Sequence, residues 1–102
     1  MPTQQSSLTY QDGNLSNLAS QFGDRLESLK LIDKTYLVQC IGEYLTDVDE
    51  SGAGDSKFEG YLSIDLPGGF RDTVSENSFE IGHVHSLLVA LVHQIQEKVY
   101  AL

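Results

Sequence analysis

Toward the carboxyl end, apolar residues recur at steps of three and four: Val84, Leu87, Leu88, Leu91, Ile95, Val99 and Leu102. That spacing places them on one face of a helix. Asn77 followed by Glu80 fits a capping arrangement at its start, so the pattern predicts one long amphipathic helix from there to the chain end. A second periodic stretch gathers Leu15, Leu18, Ala19, Phe22, Leu26 and Leu29 on one face, with Asn17, Ser20, Gln21, Asp24 and Ser28 on the other. It predicts a helix from about Asn14 to Lys30, interrupted by Gly23 at a cost of about 1 kcal/mol relative to alanine.

The centre of the chain reads two ways. As a helix begun by Asp33, residues 34–48 collect Leu37, Val38, Cys40, Ile41, Tyr44, Leu45 and Val48 on a broad apolar face. As a strand, the same stretch puts Tyr36, Val38, Cys40 and Tyr44 on one side and Leu37, Ile41 and Leu45 on the other. The following segment, Lys57 to Leu66, alternates with Phe58, Leu62, Ile64 and Leu66 inward and Glu59, Tyr61, Ser63 and Asp65 outward, and a strand needs a partner. The preferred reading is therefore α+β: an N-terminal helix, a β-hairpin of residues 35–46 and 57–66, and the long C-terminal helix. The alternative is a mostly α protein with residues 34–48 helical. Pro67-Gly-Gly69 ends the second strand. Residues 1–7 are polar and expected to be disordered, and 102 residues make a single domain.

Charge narrows the partners. Fifteen acidic side chains against six basic ones give a formal net charge of −9, which disfavours direct binding to nucleic-acid phosphates or anionic lipid. No run of about eighteen apolar residues predicts a membrane span. The single cysteine, Cys40, excludes an internal disulfide and a thiolate metal cluster. The opening Met-Pro-Thr-Gln-Gln-Ser-Ser has neither a basic start nor an apolar run, so a cytoplasmic protein is expected.

Three features invite a chemical reading. In the acidic stretch Asp47 to Asp55, Asp47, Asp49 and Ser51 precede Gly52 with the spacing of the first half of a calcium loop. Asp55 and Glu59 are the remaining acidic candidates, but the closing twelfth position is Phe58, and Glu59 comes one place late. An ordinary solvated loop explains the composition better, and calcium remains the weaker reading. His83 and His85 stand two apart, a separation that points side chains about 200° from each other on a helix, and His93 is two turns beyond His85. They read as boundary residues of an amphipathic helix. Gly52-Ala-Gly54 lacks the strand-to-helix setting of a phosphate cradle. No Gly-x-Ser-x-Gly, His-Glu-x-x-His or paired-cysteine motif occurs, so no catalytic residue, cofactor site or firm metal site is assigned.

Surface remains. Val89, Val92 and Tyr100 lie outside the main stripe of the terminal helix, giving it a wider apolar belt than one small core needs, while Gln94 lies away from that belt. The expected function is that of a non-catalytic binding or regulatory protein acting through protein–protein contact, probed first as a homodimer. Its rivals are calcium binding through residues 47–59 and an inhibitor whose carboxylates imitate nucleic-acid phosphates.

Overall fold

The computed structural model describes residues 4–51, 57–63 and 65–102, without the side chains of residues 49–51. Among the described residues five α-helices carry the fold: α1, Leu8–Gln11; α2, Ser16–Phe22; α3, Leu31–Ser51; α4, Phe70–Glu76; and α5, Ile81–Gln96. Single 3-10 turns at Gln4–Ser6, Gly13–Leu15, Phe58–Tyr61 and Pro67–Gly69 join or precede them. Among the described residues the only β pairing is an isolated parallel bridge between Lys30 and Ala101. The hairpin reading is thus corrected to the mostly α alternative.

The reason lies in which period the core obeys. In α3, Lys34, Leu37, Cys40, Ile41 and Tyr44 are buried at helical steps, and the alternation of residues 36–45 has no structural counterpart. From 57 to 66 the buried residues are Phe58, Leu62 and Leu66. Their four-residue spacing satisfies a two-residue rhythm equally well, so a 3-10 turn followed by irregular chain imitates a strand. Ile64, the residue that breaks the four-step spacing, is outside the described residues.

The first helix is also shorter than its apolar pattern suggests. Gly23 takes φ +97°, a left-handed conformation that L side chains rarely adopt, and its N–H caps α2 by bonding Ala19 O at 2.9 Å. Leu26 and Leu29 are still buried, carried by turns rather than by helix. Residues 4–7, read from composition as disordered, are ordered by contact: Ser6 and Ser7 are buried, and Asp24 accepts hydrogen bonds from the Ser7 hydroxyl and from Thr9 N and Oγ1 at 3.0 and 2.8 Å. Burial opposes ionisation of Asp24, but those donors prevail and hold its carboxyl below the ordinary value. The terminal helix starts at Ile81 with Glu80 as N-cap: Glu80 N donates to His83 Nδ1 at 3.0 Å and the Glu80 side chain accepts from the N3 backbone. It stops at Gln96 rather than running to the end.

The long helices α3 and α5 pack along each other, and shorter pieces close the ends. On one side Phe22 meets Phe70 with ring centroids 5.2 Å apart. Tyr44, Phe58 and Phe79 form a second aromatic group, with Tyr44–Phe58 at 5.5 Å and Phe58–Phe79 at 6.3 Å. Gly68 is needed against the first pair. It has φ +65°, and a Cβ there would sit 2.7 Å from Phe22 Cε1.

The polar centre is Lys34, a fully buried lysine. Its ammonium donates to Arg25 O at 3.0 Å, to Gln94 Oε1 at 3.0 Å and to Val99 O. Three donors therefore meet three acceptors, none of them a carboxylate. Gln94, also fully buried, passes the link on through Nε2 to Ser6 O at 2.9 Å, and Arg25 Nε bonds Ser6 Oγ at 3.0 Å. The amino-terminal segment, the turn after α2, both long helices and the C-terminal segment are joined at one point. Ala101 N, donating to Leu29 O at 2.8 Å, adds a backbone tie beside it.

Two predictions follow from these contacts. Gly68→Ala should destabilise the protein by about 1–3 kcal/mol through strain and displacement of the Phe22 ring, whereas Gly60→Ala, with open space at its Cβ position, should stay within about 0.5 kcal/mol; urea melts decide it. Burial lowers the Lys34 ammonium from 10.5 to about 8, with the Glu27 carboxylate partly opposing. Between those values the unfolded chain holds the extra proton, so this group's contribution to stability grows as pH rises from about 8 to 10.5 and is lost as pH falls through about 8. Cys40, pushed up chiefly by burial, and Tyr36, pushed up chiefly by its hydrogen bond with Cys40, act the opposite way at alkaline pH. The difference between wild type and Lys34→Met isolates the lysine. Melts from pH 7 to 10 should show Lys34→Met less stable by about 1–3 kcal/mol, since it strands three acceptors, one of them fully buried, and the deficit should widen with pH.

Candidate binding surface

Helix α5 contains no Asp, Glu, Lys or Arg in its 16 residues, so all 21 charged side chains lie elsewhere. Its inner face, Val84, Leu87, Ala90, Leu91 and Gln94, is buried in the core. Its outer face consists of Gly82, His85, Val89, Val92 and Gln96, all exposed, with Ile81 at one edge. Val89 and Val92 are each 40% exposed and Ile81 45%. At 1.5 Å per residue the helix offers about 24 Å of length.

Two of the three interface residues expected from the sequence, Val89 and Val92, share this outer face. Tyr100 does not, because α5 has ended before it. It is half-buried in the segment where the neighbouring Ala101 pairs with Lys30. Ile81 was missed as a surface residue, although its place four before His85 and eight before Val89 would have put it beside them. Gln94 is corrected from a peripheral position to a buried one. Its signal was available, since Leu87, Leu91 and Gln94 follow one another at steps of four and three.

The other exposed large apolar side chains are Tyr10, Leu31, Ile32 and Leu102; Leu31 and Ile32 open α3, and Leu102 follows Ala101, which pairs with Lys30. Ile32, 74% exposed, begins the outer side of α3 and lines a shallow cavity of about 360 Å³ with Asp33, Tyr36, Ser63, Asp65 and Leu66. Further along α3, Gln39, Gly42, Glu43, Thr46 and Asp47 line a more polar depression of about 440 Å³. Cys40 is buried, and burial raises its thiol above the ordinary value, which suppresses the thiolate.

The acidic candidates are differently arranged from a wrapped loop. Asp47 belongs to α3, and its Oδ2 accepts from Tyr61 OH at 2.6 Å. Asp49 and Ser51 belong to the same helix. Asp55 lies outside the described residues. Glu59 sits in the 3-10 turn, and its backbone oxygen receives Arg71 Nε at 2.9 Å. Among the described residues no three His, Cys, Asp or Glu side chains gather in a metal-binding arrangement. His83 is engaged at the helix start, with Nε2 3.2 Å from Asn14 Nδ2 and 3.8 Å from Asp12 Oδ2, while His85 faces outward.

No described helix is long and apolar enough to cross a membrane. No family model, curated protein or solved structure matches the chain.

Proposed function

We propose that this is a cytoplasmic, non-catalytic binding protein of regulatory or accessory character that acts through protein–protein contact, self-associating through the outer face of α5. The observation that carries the reading is the neutral strip itself. On a chain of net charge −9, a 16-residue helix without a formal charge exposes two valines and an isoleucine toward solvent. Leaving those side chains in water forgoes burial energy of about 25 cal/mol per Å², and a facing apolar surface recovers it.

Charge also argues for the place of contact. On a chain of net charge −9, two copies that meet at α5 do so without like charges. Calcium binding has less support, because Asp47 stands in helix α3 rather than in a loop and its Oδ2 accepts from Tyr61 OH. Mimicry of nucleic-acid phosphates has less support, because in the polar depression on α3 Glu43 and Asp47 stand among the uncharged Gln39, Gly42 and Thr46.

Sedimentation at tens of micromolar should detect a species larger than the monomer. Val89→Asp should weaken it at least tenfold, since a carboxylate would enter the contact. Gln39→Asp introduces the same side chain on the exposed side of α3 and should leave self-association unchanged. A wild-type monomer up to about 200 μM, well above the range expected for a modest interface, would reject self-association.

A further inference from the structure

We propose that two copies pair antiparallel along α5, with the two-fold axis midway between Val89 and Val92, so that Val89 of each copy packs on Val92 of the other and His85 lies beside Gln96. This rests on the self-association reading and specifies its geometry. The outer face runs Gly82, His85, Val89, Val92, Gln96 at steps of three, four, three and four, the spacing of a helix-pairing seam. About a midpoint between 89 and 92 the order reads the same in both directions: valine at the centre and a planar hydrogen-bonding side chain outside it. Reversal therefore matches valine to valine and an imidazole N–H to an amide oxygen.

The occupant is a second copy because the strip complements itself. It offers no charge to select a charged partner, and a basic partner is drawn toward the acidic surfaces elsewhere. Antiparallel alignment also brings the partly positive start of one α5 against the partly negative end of the other, where parallel alignment would place like ends together. At the outer end Gly82 has open space around its Cβ position, so the second backbone meets no side chain there. A single seam about 24 Å long is short compared with the roughly 1,600 Å² of a standard interface, which fits a dimer held in the micromolar range.

The deciding experiment is sedimentation equilibrium of the full chain carrying His85→Lys and Gln96→Glu, separately and together. In the antiparallel pair the double variant places Lys at 85 beside Glu at 96 twice, and should dimerise roughly three- to tenfold more tightly than either single variant, with the gain fading at high salt. The reversed exchange, His85→Glu with Gln96→Lys, should behave in the same way and guards against a folding artefact in either one. In parallel pairing each substituted residue meets its own copy, so both doubles would be weaker than the singles. Doubles weaker than, or indistinguishable from, the singles overturn the antiparallel geometry while the wild-type dimer stands. A wild-type monomer overturns the self-association reading beneath it.

Discussion

Everything in this fold depends on satisfying one buried ammonium. A charge taken out of water costs several kcal/mol unless its protons are hydrogen-bonded. Lys34 meets that requirement only when Arg25, Gln94 and Val99 present their oxygens together. These acceptors come from the turn after α2, from α5 and from the segment beyond it. No local folding of α3 supplies any of them. The apolar faces of α3 and α5 alone would tolerate small slips or rotations, since greasy contacts are not directional. The lysine removes that freedom, and with Gln94 reaching on to Ser6 it ties in residues near the amino end as well.

The same requirement shows why part of this structure is legible in the sequence and part is not. The inner stripe of α5 is legible because its members are all apolar and strictly periodic. Lys34 and Gln94 interrupt that code: each occupies a core position at helical spacing, yet each is polar, so a reading by hydrophobicity discards them. Once Lys34 is accepted as a core residue, Lys34, Leu37, Ile41 and Tyr44 form one face, and the helix over residues 34–48 outweighs the strand. The false hairpin came from Phe58, Leu62 and Leu66, whose spacing is common to both rhythms. No local feature of that segment distinguishes them, because the decision is made by Tyr44 and Phe79, which pack against Phe58 from distant parts of the chain.

On the outer face of α5, two exposed apolar residues, Val89 and Val92, were legible in the sequence. Val89 and Val92 stand out because they exceed what the inner stripe needs. Tyr100 was grouped with them only by extending the helix past Gln96. Its backbone instead belongs to the closing segment, where Val99 O serves Lys34 and Ala101 pairs beside Lys30. The exit of the chain from α5 is therefore set by the buried lysine, four positions into another helix, and a helical repeat cannot register such a constraint.

The distribution of charge supplies the remaining step. A helix whose inner side is buried gains nothing in stability from being uncharged on its outer side, and exposed helix positions are ordinarily where Lys and Glu add solubility and favourable side-chain pairs. In α5 those positions hold Gly82, His85, Val89, Val92 and Gln96, while α3, of similar role in the core, bears Glu43 and Asp47 on its exposed side. The two helices meet the same packing demand and differ only outside it. Packing within one chain thus accounts for the inner face of α5 and not for its neutral outer face, and that asymmetry is what the proposed association rests on.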